Sequence, residues 1–125
     1  DATEKALYAS IECARAGKHT GDVAAIMQAE VEGHGYNVIR RHTSHGIGRS
    51  LHEDPQILNH GRAGTGPLLR EGMTIALEPM VLAGRSDTKL LDDGWTVAAL
   101  DGELTAHFEH TIAVTEGEAE ILTRL

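Results

Sequence analysis

Residues 43–55 read Thr43-Ser44-His45-Gly46-Ile47-Gly48-Arg49-Ser50-Leu51-His52-Glu53-Asp54-Pro55. Two histidines, two intervening glycines and two acids fall within one short segment. Glycine has no Cβ, so backbone and ligand can approach closely beside it. His45 and His52 are therefore expected on a tight bend rather than on a regular helix. Imidazoles presented this way usually partner carboxylates or a metal. A loop carrying two solvated histidines accounts for the same residues, and the segment alone leaves both possibilities open.

Downstream, Met73 to Met80 alternates as a strand should, with Ile75 and Leu77 on one face and Thr74, Ala76 and Glu78 on the other. Pro79 cannot donate to a ladder. Glu78 is therefore expected where regular pairing is interrupted, its carboxylate aimed inward. Leu91-Asp92-Asp93-Gly94 signals a turn before a strand from Trp95 to about Ala99, and Asp101-Gly102 signals a second turn. The chain then returns as a strand from Thr105 to Thr115, and Glu116-Gly117-Glu118 turns it into Ala119 to Thr123, an antiparallel meander. A period of two puts His107, Glu109 and Thr111 on one face of Thr105–Thr115. Ala106, Phe108, Ile112 and Val114 lie on the other, with His110 as the odd polar member. A histidine and a carboxylate sharing a strand face are more often surface decoration. Glu78 and His45 beside them shift the balance toward a site.

Upstream, Asp1 to Arg15 reads as a helix with Leu7, Ile11 and Ala14 on one side and a weak Asp1/Glu4 capping-box pattern. Thr20 or Asp22 can cap a second helix running to about Gly33, with Val23, Ile26, Met27 and Val31 as its apolar stripe. Gly33 and Gly35 stop it, and Tyr36 to Arg40 is a short strand leading into the histidine segment. His60 to Pro67 is a turning loop. No strand leads into it, no helix follows, and Pro67 closes it, so it is not a phosphate cradle. The elements add up to an α+β fold with residues 1–125 as one domain.

Composition narrows the function classes. Of 125 residues, 41% are hydrophobic and 24% charged, which is ordinary for a globular protein. Acids outnumber bases 19 to 11, for a formal charge of −8. No basic cluster extends beyond Arg40-Arg41, which argues against a nucleic-acid surface. Most of the acid excess is a solubilising surface, and a bound cation would consume the rest. Cys13 is the only cysteine, so disulfide frameworks and thiolate zinc sites within the chain are excluded. It fits a small core position and a reducing, cytoplasmic compartment. No apolar run approaches a membrane span and no signal peptide is visible, so no membrane partner is expected. The chain lacks an initiating methionine and opens at a helix start, so further residues are expected upstream.

Four segments in order resemble type I methionine aminopeptidases: H-G-I-G-R-S-L-H-E-D-P-Q-I-L, E-G-M-T-I-A-L-E-P-M-V-L-A-G, D-G-W-T-V and A-H-F-E-H-T-I-A-V-T-E-G. The resemblance runs over nearly the whole chain. It implies the C-terminal half of a pita-bread fold: two helices packed on a curved antiparallel sheet. In the family that sheet closes around two divalent metals held by two Asp, one His and two Glu. By resemblance, His45 is the His ligand, Glu78 the first Glu ligand and Glu109 the second. Glu78 also shuttles a proton, and His52 contacts the substrate and stabilises the tetrahedral intermediate. Trp95 and Leu51 match positions lining the pocket for the methionine side chain, Leu51 standing where an aromatic residue is usual. Ser44 replaces a glycine. His107 replaces what is often Gln and is expected to alter the hydrogen bonding that orients Glu109.

The two Asp ligands belong to the first half of the family fold and have no match here. At most one metal (Co, Mn, Fe or Zn) is expected on this chain. The implied activity is removal of the N-terminal methionine from nascent proteins by a metal-activated water. The chain alone is expected to be inactive and to self-associate or bind the missing N-terminal half. Two alternatives stand beside this. One is a Xaa-Pro aminopeptidase-like enzyme, against which D-G-W-T-V argues. The other is a non-catalytic pita-bread module that binds a metal or a partner chain.

Overall fold

The computed structural model describes residues 1–124. In chain order the elements are α1 (Ala2–Cys13), α2 (Thr20–Gly33), β1 (Asn37–Val38), β2 (Thr43–Gly46), β3 (Glu53–Leu58), β4 (Thr74–Leu77), β5 (Met80–Leu82), β6 (Thr88–Leu90), β7 (Val97–Ala99), β8 (Thr105–His107), β9 (His110–Ala113) and β10 (Glu120–Ile121). The expected α+β architecture is present, with two helices lying on antiparallel sheets. A five-stranded sheet has the order β10-β9-β4-β2-β3, a three-stranded sheet β1-β5-β8, and β6 pairs with β7 alone.

The helices form where their apolar spacing allows. Leu7, Ile11 and Ala14 are buried from α1 and its end, and Val23, Met27 and Val31 from α2. Ile26, placed in the same stripe from sequence, instead faces outward. The Asp1/Glu4 capping box does not form. Asp1 is the N-cap of α1 without a side-chain cap bond, and its carboxylate lies 3.8 Å from Lys5 Nζ. At the start of α2, His19 occupies the N-cap position rather than Thr20 or Asp22. Asp22 acts from inside the first turn, accepting from His19 N–H at 2.7 Å and from Gly64 N–H at 2.8 Å. The loop 60–67 is thereby folded against the helix start. Gly21 sits so close to the backbone of Arg62 and Thr65 that a Cβ has no room. Gly64 and Gly66 of the loop adopt positive φ in making this packing.

Ten buried residues from α1, α2, the five-stranded sheet and the segments joining them make the main core, among them Leu7, Ile57, Leu69, Ile75, Leu77 and Ile112. Cys13 packs partly buried against it. Ala6, Met27 and Val31 reach the other way, onto Val38 and Val81 of the three-stranded sheet. The same two helices thus clamp both sheets. Ile39, Leu82 and Ala99 tie the β6-β7 ribbon to the rest.

Three strand expectations are corrected. Thr105–Thr115 is not a single strand. It breaks at Phe108-Glu109 between β8 and β9, whereas the break of Met73–Met80 at Glu78-Pro79, between β4 and β5, is the interruption expected there. The meander does not run consecutively, because β7 pairs with β6, and β8 pairs with β5. Only β1's Asn37–Val38 survives of the strand expected from Tyr36 to Arg40. β3 was not foreseen because its acids and Pro55 argue against a strand. It forms because the β2-β3 register slips between His45 and Gly46, pairing His45 with Gln56 and Gly46 with Glu53. Asp54 and Pro55 sit in that irregularity, where a missing N–H is tolerated.

Asp22 supplies the polar tie between helix and loop, and its backbone hydrogen bonds to His19 and Gly64 hold its carboxyl below the ordinary value. A depressed folded pKa stabilises above the unfolded value, about 4 for Asp. It is lost as pH falls through the folded value. Asp22→Ala should therefore lower stability to urea at pH 7 by about 1 kcal/mol, and the gap to the unsubstituted chain should close in acid. A gap that stays constant from pH 7 to pH 3 would contradict this role.

Candidate metal centre

The break between β4 and β5 faces the break between β8 and β9. Leu77 pairs with His110 on one side of the gap and Met80 with His107 on the other. Between them the ladder keeps one long contact, Phe108 N–H donating to Pro79 C=O at 3.4 Å. Pro79 has no N–H to offer. Both strands change sheets here, and each carries a glutamate at the crossing. This is how Glu78 and Glu109 come to face one another.

His45 joins them from β2, the strand beside β4. It lies in a strand, not on the expected bend. The close approach at Gly46 is by a neighbouring strand, because a Cβ there would overlap the Asp54 carbonyl. One donor atom each from His45, Glu78 and Glu109 lies within 4.8 Å of the others. His45 is buried, Glu78 partly buried and Glu109 exposed. The residues brought together are thus the three matched as ligands.

The donor set fits a cation. His45 Nδ1 lies 2.7 Å from the Gly46 carbonyl, which can only accept, so Nδ1 carries the proton. Its Nε2 then points at Glu78 Oε1, 3.2 Å away. Two electron-rich atoms at that distance need a proton or a metal ion between them. Burial raises the Glu78 carboxyl above its ordinary value, and the facing charge of Glu109 raises it further, with His107 and His45 opposing. Among the described residues, the basic side chains within 4 Å of Glu78 are imidazoles, not lysine or arginine. Mixed imidazole and carboxylate donors suit first-row divalent ions.

The other matched residues are placed less centrally. His52 is exposed, and its ring lies against that of His45, centroids 4.3 Å apart and tilted by 49°. Trp95 is 87% exposed. It borders a cavity of about 540 Å³ together with His42, Met80, Val97, Ala99 and His107. Leu51 is 68% exposed and does not line that cavity. His107 touches Glu78, with Nε2 3.1 Å from Oε2, rather than orienting Glu109.

Two supporting residues were missed from sequence. Glu78 N–H donates to Ser44 Oγ at 3.0 Å, Ser44 donates to Asn59 Oδ1 at 3.1 Å, and Asn59 Nδ2 donates to the Glu78 carbonyl at 3.0 Å. Both side chains are fully buried. They satisfy the main chain of Glu78 where the ladder cannot. Ser44 had stood out only as a replaced glycine, and nothing in the spacing of 44 and 59 signals their bond.

Comparison with known proteins gives a consistent result. Residues 1–116 match the model of metallopeptidase family M24. The chain is 45% identical over 125 residues to methionine aminopeptidase 1 of Bacillus subtilis, covering 100% of this chain and 50% of that protein. It superposes on the crystal structure of methionine aminopeptidase from Thermotoga maritima with TM-score 0.97 and 50% identity, covering 99% of this chain and 50% of that one. Prolidase from Pyrococcus furiosus aligns with TM-score 0.72 and 23% identity, over 99% of this chain and 31% of that chain, which shows shared fold alone. The chain spans about half the length of the curated relatives it matches.

Ser44→Ala should strand the Glu78 N–H and one side of Asn59 in the interior. An unsatisfied buried group costs about 1–3 kcal/mol, readable as a lowered urea midpoint. An unchanged midpoint would show that the Ser44–Asn59–Glu78 ring contributes nothing.

Proposed function

The chain belongs to metallopeptidase family M24, and from that premise we propose that it is the C-terminal part of a methionine aminopeptidase catalytic domain. Its reaction would be release of the N-terminal methionine from nascent polypeptides. The observation that carries this is the convergence of His45, Glu78 and Glu109 on one point, at the positions where the resemblance requires ligands. These three would hold one divalent ion, drawn from Mn, Fe, Co or Zn. When bound, the ion supplies a water of lowered pKa and polarises the scissile carbonyl.

The chain's own residues do the rest. Glu78, its carboxyl raised above the ordinary value by burial, is placed to accept a proton and return it to the leaving amine. His52, lying beside His45, donates to the carbonyl oxygen as negative charge develops there. Trp95 gives an exposed apolar face for the methionine side chain, and Leu51, exposed next to His52 in the chain, is the second apolar residue the resemblance assigns to it. On this reading the chain alone holds at most one ion and lacks a seat for the substrate amine. Catalysis then needs the two-aspartate segment of the family fold.

The exposed apolar side chains Trp95, Leu90, Leu100 and Leu104 support contact with such a segment or with a second copy. Sedimentation at rising concentration should show association, and a monomer throughout would argue against it. A Xaa-Pro peptidase is the less favoured reading, given 50% identity to a methionine aminopeptidase structure against 23% to a prolidase.

Joined to the two-aspartate segment and given Mn(II), the chain should release methionine from a Met-Ala-Ser peptide, and Glu109→Gln should abolish release. No release, or faster cleavage of a peptide with proline second, would contradict the proposal. In calorimetric titration of the chain itself with Mn(II), His45→Ala and Glu109→Ala should each weaken binding more than His52→Ala. Equal losses would reject the division of roles.

A further inference from the structure

The two carboxylate oxygens of Glu78 are taken by different imidazoles. His45 Nε2 lies 3.2 Å from Oε1, and His107 Nε2 lies 3.1 Å from Oε2. The two rings are not equivalent. His45 gives its Nδ1–H to Gly46, so its Nε2 is left facing the point shared with Glu109. His107 is not one of that convergent set. It stands on the far side of Glu78, on the last paired position of β8 before the gap. Its Nε2 lies within hydrogen-bond reach of Oε2.

The carboxylate of Glu78 needs such a hold. Its main chain is fixed by Ser44 and Asn59, but they do not reach its side-chain oxygens. The charge of Glu109 repels it from in front. Without a donor on Oε2, nothing among the described residues fixes the rotation that keeps Oε1 beside His45 Nε2.

We propose that His107 is a positioning residue for Glu78: its Nε2–H holds Oε2 so that Oε1 is presented to a cation bound with His45 and Glu109. This rests on the metal reading above and deepens it. Partners that orient a ligating side chain typically change metal affinity about 10–100-fold when removed. The role needs a donor that reaches Oε2, not an imidazole as such. A glutamine amide reaches it, whereas an asparagine amide is too short and a leucine has nothing to give.

Mn(II) titration by calorimetry on the chain and on His107→Leu, His107→Asn and His107→Gln tests this. His107→Leu and His107→Asn should bind Mn(II) about 10–100-fold more weakly, and His107→Gln within a few-fold of the unsubstituted chain. Simple electrostatics predicts otherwise, since none of these substitutions adds positive charge near the site. His107 is half exposed, so circular dichroism in EDTA should show all variants folded. Should leucine unfold the chain, the comparison of asparagine with glutamine decides alone. Undiminished binding by the leucine and asparagine variants, with His45→Ala still weakened, overturns the role of His107 and leaves the metal reading intact. A glutamine variant as weak as asparagine also overturns it. No uptake of Mn(II) by the unsubstituted chain overturns both.

Discussion

Pro79 is the constraint from which the site follows. A proline beside Glu78 removes one donor from what would otherwise be a long antiparallel ladder. The two crossing strands part there, pairing in one sheet as β4-β9 and in the other as β5-β8. A carboxylate in the middle of a continuous ladder would stand on one face or the other. At the parting it can turn toward its counterpart across the gap. Glu78 and Glu109 are neighbours because the backbone stops pairing, and His45 is added from the adjacent strand.

An opened ladder leaves polar groups without partners, and the chain deals with them locally. Ser44 and Asn59 close a small buried ring on the N–H and C=O of Glu78. None of the buried side-chain nitrogen and oxygen atoms among the described residues lacks a partner. Charge is treated differently. The carboxylates face each other, the basic side chains against Glu78 among the described residues are the imidazoles of His45 and His107, and burial disfavours its charge. A set of donors held against its own repulsion on a well-packed frame is what a cation stabilises on binding. The helices supply that frame by burying Leu7, Ile11, Met27 and Val31 against both sheets.

Much of this was legible in the sequence because apolar spacing and ligand-type residues are local signals. The two helices and the interruption at Pro79 are expected and found, and the side chains of His45, Glu78 and Glu109, matched as ligands by resemblance, lie close to one another. What escaped depends on pairing between distant segments. Strand β3 contains Asp54 and Pro55, which speak against a strand, and exists because β2 can pair with it across a register slip. In the Thr105–Thr115 run the one departure from alternation is His110, too weak a signal to place a break, and the break at Phe108-Glu109 follows from pairing with β4 and β5. His107 was assigned to Glu109, two residues along, whereas register places it on Glu78. The loop 60–67 packs on the helix start at Gly21, a residue far from it in sequence.

The central claim is that one imidazole and two carboxylates share a single cation. Anomalous diffraction from crystals of this chain grown with Mn(II) tests it most directly. The account predicts one strong peak within ligand distance of His45 Nε2 and of carboxylate oxygens of both Glu78 and Glu109. No peak there, with the three side-chain tips turned apart in the presence of the metal, would contradict it.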